Sequence, residues 1–119
     1  MNDRELLELA AKAAGYDPKW REWVTSRIAE FQTIKHKKNQ GFFVNDKQWN
    51  PLDDDGDAQR LAVKLQLLPV NFAIFDGKEK LIEVDCRDGS VLEPIGDDPF
   101  AATRRAIVRA AAEIGKAMS

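Results

Sequence analysis

The sequence predicts an α+β fold in which a mainly antiparallel sheet of four to five strands packs with about four helices. Three observations predict it. Apolar residues recur at helical spacing near both ends of the chain, Asp-Gly pairs separate short β-favouring runs, and the elements follow one another as helix, helix, hairpin, helix, three strands, helix. Because four helices are many for one face of a small sheet, we expect an α/β/α sandwich. The length of 119 residues suits a single domain over residues 1–119.

The first helix is predicted over residues 3–14, where apolar side chains recur at i, i+3, i+4 and i+7. Asn2 can cap its first turn, and Gly15 supplies the left-handed residue that ends it. Glu8 precedes Lys12 by four residues, which is the favourable order for an ion pair along a helix.

A second helix is predicted over residues 18–32, because Asp17 and Pro18 have the pattern of an N-cap followed by the first helical residue. The side chains at helical spacing in this segment are Trp20, Trp23, Val24, Arg27, Ile28 and Phe31. The stretch KHKKNQG, residues 35–41, breaks the pattern and is predicted to be a loop.

Residues 41–51, GFFVNDKQWNP, predict a hairpin whose tight turn is Asn45-Asp46. A third helix follows over residues 53–68, because Pro69 disfavours the α region for the residue before it. Its predicted apolar stripe consists of Leu61, Ala62, Leu65 and Leu68.

Three short β runs, VNFAIF, KLIEVDC and SVLEPI, then predict an antiparallel meander with turns at Asp76-Gly77 and Asp88-Gly89. Pro94 weakens the last strand, since proline cannot donate to a sheet. Asp98 and Pro99 open the final helix as N-cap and first residue. Its predicted buried face consists of Phe100, Ile107, Ala111, Ile114 and Met118.

Composition bounds the functions that the chain can have. The net charge of −2 gives no overall attraction to nucleic acids or anionic membranes. One cysteine excludes an intrachain disulfide and suits a reducing cytoplasm. No stretch approaches the roughly 20 apolar residues of a membrane span, and the N-terminal segment does not resemble a signal peptide. No phosphate loop, zinc spacing, hydrolase elbow or kinase motif occurs, so we expect no cofactor, no metal and no catalytic residues.

The acidic cluster in WNPLDDDGDAQRLAVKL, residues 49–65, is tested first as a calcium site. With Gly56 at position 6 of an EF-hand loop, positions 1 and 12 fall on Pro51 and Ala62, which cannot supply side-chain ligands. Helix capping explains the cluster better, with Asp53 as the N-cap and the other carboxylates near the positive end of the helix dipole. Those other carboxylates are Asp54, Asp55 and Asp57. An acidic catalytic pocket formed by the four aspartates remains the alternative.

Two basic clusters and a tryptophan pair are the candidate partner-binding residues. They are Lys35, His36, Lys37 and Lys38 in the predicted loop, Arg104, Arg105 and Arg109 on the last helix, and Trp20 and Trp23 on the second helix. For the charged residues the alternative is a solvated surface. For the tryptophans it is the core.

Two segments, residues 49–65 and DDPFAATRRAIVRAAAEIG at 97–115, resemble the phage α-β-α (ABA) sandwich domain family of tailed phages and prophages. LLELAAKAAGYD near the N-terminus is also similar, whereas residues 18–40 depart from that pattern. The resemblance implies the sandwich fold and carries no catalytic residues.

On this basis we expect a non-enzymatic phage or prophage accessory protein that binds a host or phage protein in the bacterial cytoplasm. Interference with host defence, including anti-CRISPR activity, belongs to this class. A nucleic-acid-associated protein that uses the Lys and Arg clusters is the second hypothesis, and a small enzyme with an acidic pocket is the third.

Overall fold

The computed structural model describes residues 2–28, 34–75, 79–86 and 89–118. In chain order its elements are α1 (Asp3–Ala14), β1 (Lys19–Ile28), β2 (Ile34–Val44), β3 (Lys47–Trp49), α2 (Asp55–Leu65), β4 (Asn71–Phe75), β5 (Glu79–Cys86), β6 (Gly89–Pro94) and α3 (Pro99–Ala117). The chain divides into two compact units. The core unit consists of Met1–Asp17 and Asn50–Ser119, and the ribbon unit is Pro18–Trp49.

The predicted α+β class is confirmed, but the counts differ from the prediction. The described residues form three helices and two antiparallel sheets, ordered β1-β2-β3 and β4-β5-β6. The prediction of one sheet with four to five strands and about four helices is therefore wrong in number, because the segment predicted as the second helix pairs as a strand.

The core unit is built around α3, which contacts α1 and α2 as well as β5 and β6. The buried residues of α3 are mostly small: Ala102, Ala106, Ile107, Val108, Ala110, Ala111, Ala112, Ile114 and Gly115. At Gly115 an added Cβ would lie 2.8 Å from the carbonyl carbon of Leu9 and closer still to its oxygen. The backbones of α1 and α3 therefore meet at a point where only glycine fits.

Both predicted ends of α1 and the predicted start of α3 are confirmed. The Asn2 Oδ1 accepts the Glu5 N–H at 2.8 Å, and Gly15 ends α1 with a φ of 75°. The Asp98 Oδ1 accepts the first backbone donors of α3, at 3.0 Å from the Phe100 nitrogen. The N-caps Asn2 and Asp98 satisfy backbone donors, and Gly15 satisfies backbone carbonyls, that the helices cannot pair internally.

The predicted ion pair between Glu8 and Lys12 is not formed. Glu8 pairs instead with Arg4, at 3.4 Å from its Nε, one turn towards the N-terminus. Lys12 donates from Nζ to the backbone oxygen of Met118 at 3.1 Å. Lys12 therefore joins the end of the chain to α1.

The meander β4-β5-β6 confirms the three predicted β runs, with β5 in the centre. Ile82 and Val84 of β5 are completely buried. Pro94 is the last residue of the edge strand β6, a position that tolerates proline. The predicted turn at Asp76-Gly77 and the first residue of the turn at Asp88-Gly89 lie outside the described residues.

Some of the predicted helical faces need correction. Helix α2 ends at Leu65 rather than at residue 68, because Gln66 adopts a left-handed conformation with a φ of 59°. Leu67 is consequently buried, while Leu68 is 44% exposed. Phe100 and Met118, at the two ends of α3, are 69% and 41% exposed, so neither belongs to the buried face.

The segment predicted as a helix over residues 18–32 forms strand β1, and the loop predicted over residues 35–41 lies within β2. The run WREWVTSRI is rich in aromatic and β-branched residues, which favour strands and have low helix propensity. The pairing of β1 with β2 begins at Lys19↔Phe43 and continues to Ile28↔Ile34, and these contacts outweigh the helical spacing. Residues 29–32, the end of the predicted helix, lie outside the described part of the chain.

The hairpin predicted within residues 41–51 is confirmed as β2–β3, with the return strand ending at Trp49. Asn45 and Asp46 have φ values of 52° and 64°. Two consecutive positive φ angles are the signature of a type I′ turn, which Asn and Asp adopt more readily than other non-glycine residues.

Candidate functional site

The acidic cluster lies at the start of α2, and three of its four aspartates make local contacts. Asp54, one residue later than predicted, is the N-cap, and its Oδ1 accepts the Asp57 N–H at 3.1 Å. Asp53 accepts from the Asn50 side-chain amide at 3.1 Å. The Asn50 Oδ1 accepts the Leu52 N–H at 3.1 Å, so the Asn50 side chain organises the turn before α2.

Asp57 links the turn to the first turn of α2. Its Oδ2 accepts the Asn50 N–H at 3.0 Å, and its Oδ1 accepts from Arg60 at 2.6 Å. The hydrogen bond from Arg60 to Asp57 raises the pKa of Arg60 above its usual value. Gly56 leaves room for this arrangement, since an added Cβ would lie 3.1 Å from the Asp54 Oδ1 and 3.2 Å from the Arg60 guanidinium.

Arg104 joins α3 to this turn. Its Nε donates to the Leu52 carbonyl oxygen at 2.8 Å, and its guanidinium donates to the Asp55 Oδ1 at 2.6 Å. The side chain of Arg104 is only 16% exposed. Arg104 and Asp55, predicted as binding and capping residues, therefore form one interhelical contact.

The other two arginines of α3 converge on Glu93 of β6. Arg109 pairs with Glu93 and donates to the Leu92 carbonyl oxygen at 3.0 Å. Arg105 lies 3.8 Å from Glu93 and 3.3 Å from Asp3 of α1. All three predicted arginines thus have carboxylate partners inside the core unit.

The four aspartates do not converge on a shared pocket. Asp53, Asp54 and Asp55 are exposed, and the half-buried Asp57 is engaged by the turn and by Arg60. Within the described ranges, no cluster of three or more His, Cys, Asp or Glu side chains could hold a metal ion. The acidic-pocket hypothesis therefore has no geometric support.

A groove of about 820 Å³ lies between β6 and the C-terminal half of α3. Val91 and Ile114 supply apolar lining, while Arg109, Glu113 and Lys116 supply charges of both signs. The charged lining has no single sign, so it does not select a ligand class.

The ribbon unit is two-stranded over most of its length. Strand β3 pairs only with Phe42–Val44 of β2, whereas β1 pairs with β2 along all of its ten residues. Side chains alternate between the two faces of a strand, so this register assigns every residue to one of two faces. We name these the Trp20 face and the Trp23 face after the β1 residue on each.

The Trp20 face has an aromatic row across the three strands. Trp20 lies opposite Phe42, and Phe42 lies opposite Trp49. The rings of Trp20 and Phe42 meet edge-to-face at 4.8 Å, and Phe42 and Trp49 are buried. Farther along this face, the Ser26 Oγ and the His36 Nδ1 are 2.8 Å apart. The predicted tryptophan pair is therefore split, because residues three apart on a strand lie on opposite faces.

The Trp23 face combines aromatic and polar side chains. Trp23 and Phe43 meet edge-to-face at 5.5 Å, and the Arg21 guanidinium lies 4.8 Å from the centre of the Phe43 ring. Arg21 also pairs with Asp46 of the turn at 2.8 Å. Gly41 lies beneath Trp23, since an added Cβ there would be 3.7 Å from the indole ring.

Most of the basic residues of the ribbon unit occupy positions on the Trp23 face. These positions are Lys19, Arg21, Arg27, Lys35 and Lys37. No strand position on this face is acidic, whereas the Trp20 face carries Glu22 along with His36, Lys38 and Lys47. The predicted cluster at 35–38 is therefore divided between the faces, and the Trp23 face has basic strand positions without an acidic one.

Charge is also divided between the two units. Residues 18–49 contain seven Lys and Arg against three Asp and Glu, a net charge of +4. Since the whole chain carries −2, the remainder carries −6. The net charge of the whole chain does not show this contrast, but the net charge of residues 18–49 does, and it can be read from the sequence. The proximity of Trp23 to the basic positions could be seen only after β1 and β2 were paired.

Comparisons with known proteins found no matching family model, no matching curated protein and no matching solved structure. Of the helices in the described part of the chain, none combines the length and apolar character needed to cross a membrane.

Proposed function

We propose that the protein is a non-enzymatic nucleic-acid-binding protein and that the Trp23 face of the ribbon unit is its binding surface. The observation that carries the proposal is the set of five basic positions that share this face with two aromatic residues and no acidic strand position. Positive charge supplies affinity for the phosphate backbone, and aromatic side chains supply stacking partners for bases.

The charge distribution favours the ribbon unit over the core unit as the contact surface. The core unit carries −6, which repels a polyanion. Arg104, Arg105 and Arg109 have their carboxylate partners inside this acidic unit, whereas Arg21, which also has a carboxylate partner, lies in the basic ribbon unit. The hypothesis of nucleic-acid binding therefore has support from the lysines of β2 and little from the arginines of α3.

Adjacent lysines on β2 provide a matched test, because Lys37 and Lys38 lie on opposite faces. We expect the double variant Lys35→Gln/Lys37→Gln to bind a fluorescent oligonucleotide at least about fivefold more weakly than the wild type at low salt, since each lost phosphate contact weakens binding. Fluorescence anisotropy provides the measurement.

The control removes the same charge from the Trp20 face, in Lys38→Gln/Lys47→Gln. We expect this variant to bind within about twofold of the wild type, because direct phosphate contacts contribute more than net charge alone. Equal losses in the two variants would show that charge acts without regard to face. A wild type that fails to bind even at low salt would reject the proposal.

A phage or prophage accessory protein that binds a host or phage protein is the second candidate. Strand β1 pairs along one edge with β2, and no described strand pairs with its other edge. Such an edge can accept a strand from another protein. The resemblance of residues 49–65 and 97–115 to the phage α-β-α sandwich family supports a phage origin, action in the bacterial cytoplasm, and roles such as counter-defence, including anti-CRISPR activity.

Affinity capture from nuclease-treated host lysate separates the two candidates. Protein binding predicts that one host or phage protein is recovered repeatedly after the treatment, and that Val24→Pro on β1 reduces its recovery. The fold of this variant would be checked by circular dichroism. If nuclease removes every reproducible partner, the protein-binding candidate is wrong.

A further inference from the structure

We infer that the nucleic acid is single-stranded and that one of its bases stacks on Trp23. This inference rests on the proposed nucleic-acid binding and adds to it the kind of strand and the contacting residue. The inference follows from the partial exposure of Trp23, from its contacts with Phe43 and Gly41, and from the basic positions that lie around it.

Trp23 is better placed to stack a base than Phe43. The Arg21 guanidinium covers the Phe43 ring at 4.8 Å, while Trp23 meets Phe43 only edge-to-face, at an interplanar angle of 84°. The Trp23 side chain is partly exposed. An edge-to-face contact joins the edge of one ring to a face of the other, so it covers at most one face of the indole.

Gly41 supports the indole from the strand side. The atoms nearest to a Cβ placed at Gly41 are two atoms of the six-membered ring of Trp23, at 3.7 and 3.9 Å, and the Gln48 Nε2, at 3.9 Å. The six-membered ring of Trp23 therefore lies over the backbone of Gly41, where no side chain separates the ring from the strand. A ring held in this way loses little freedom when a base stacks on it, which favours binding.

The basic positions extend to both sides of Trp23 along the ribbon. Arg21 lies towards one end, and Arg27 with its partner position Lys35 lies towards the other. Six residues of extended strand separate positions 21 and 27, a distance of about 20 Å. A strand of nucleic acid that runs along this face can contact positive charge before and after the stacked base.

A duplex cannot use Trp23 in the same way. Its bases are stacked on each other, so their faces are not available to a side chain unless the helix is kinked or opened. Unpaired bases present their faces to aromatic residues, and such stacking tolerates different base sequences. We therefore expect a preference for single strands with little base specificity.

The test measures binding of the full-length chain to three probes by fluorescence anisotropy: a 20-nucleotide oligo(dT), a 20-nucleotide oligo(rU) and a 20-base-pair duplex DNA. We expect at least tenfold tighter binding of one or both single strands than of the duplex. Comparing the dT and rU probes shows whether DNA or RNA is preferred.

Trp23→Leu should weaken single-strand binding by about 5- to 150-fold, the range expected for one lost stacking contact. The same change should leave duplex binding nearly unaltered. Trp23→Phe keeps an aromatic ring and should retain most of the affinity. Trp20→Leu is the control on the opposite face and should have little effect, with its fold checked by circular dichroism and thermal unfolding.

The outcomes distinguish this inference from the proposed function. Equal affinity for single strands and duplex, or full single-strand affinity in a folded Trp23→Leu, overturns the inference and leaves nucleic-acid binding intact. Loss of affinity in Trp23→Leu and Trp23→Phe alike, with both variants folded, also counts against stacking. If none of the three probes is bound at low salt, the proposed function itself fails.

Discussion

At the scale of single residues, two helical glycines with opposite surroundings show how the core unit is constrained. Gly115 faces the backbone of Leu9, whereas Gly56 faces the Asp54 carboxylate and the end of the Arg60 side chain. Backbone atoms in a packed helix cannot move aside, but the end of a long exposed side chain can. The same added methyl group should therefore have different effects at the two positions.

We predict that Gly115→Ala destabilises the protein by about 2 kcal/mol or more, because overpacking forces α1 and α3 apart. Gly56→Ala should change stability by less than about 1 kcal/mol, since the better helix propensity of alanine offsets the small displacements of the Asp54 carboxylate and the Arg60 guanidinium. Urea unfolding of both variants measures the difference. A Gly115→Ala variant as stable as the wild type would contradict the close crossing of the two helices.

At the scale of elements, the helix ends could be predicted from the sequence, but the strands of the ribbon unit could not. A helix cap depends on residues within one turn, as with Asn2 and Glu5. The pairing of Trp20 with Phe42 joins residues that lie far apart in the chain. The spacing of side chains within residues 18–32 therefore favours a helix, because the contacts with β2 that stabilise a strand lie outside this segment.

The candidate site could likewise be predicted only in part from the sequence. The basic residues at 35–38 could be identified from composition, but the division of His36 and Lys38 from Lys35 and Lys37 requires a strand with a known register. The acidic cluster was correctly interpreted as a helix start, although Asp54 rather than Asp53 is the N-cap. The arginines of α3 could not be paired from the sequence, since Arg104 and Asp55 lie 49 residues apart.

The contact between α2 and α3 depends on Arg104. We predict that Arg104→Gln lowers the free energy of unfolding by about 1.5–3 kcal/mol, because it removes a charged hydrogen bond to Asp55 and alters the one to the Leu52 carbonyl. Arg60→Gln removes an ion pair whose arginine is 69% exposed, and should shift the denaturation midpoint much less than Arg104→Gln does. Equal effects in chemical denaturation would show that Arg104 does not join the two helices.

At the scale of the whole molecule, charge is separated between a basic ribbon unit and an acidic core unit. The separation is a property of chain segments, so it does not depend on how the two units are arranged. For the nucleic acid proposed above, this separation favours the ribbon unit as the contact surface. The prediction of a single domain over residues 1–119 remains a prediction, which calorimetry can test by showing one unfolding transition or two.

The salt dependence of oligonucleotide binding tests the central claim most directly. If all five basic positions of the Trp23 face contact phosphates, the logarithm of the binding constant should fall against the logarithm of salt concentration with a slope of about −3.5 for single strands. Lys35→Gln/Lys37→Gln should reduce the magnitude of that slope by about 1.4, and Lys38→Gln/Lys47→Gln should leave it unchanged. A slope near zero, or the same slope in all three proteins, would contradict binding through the Trp23 face.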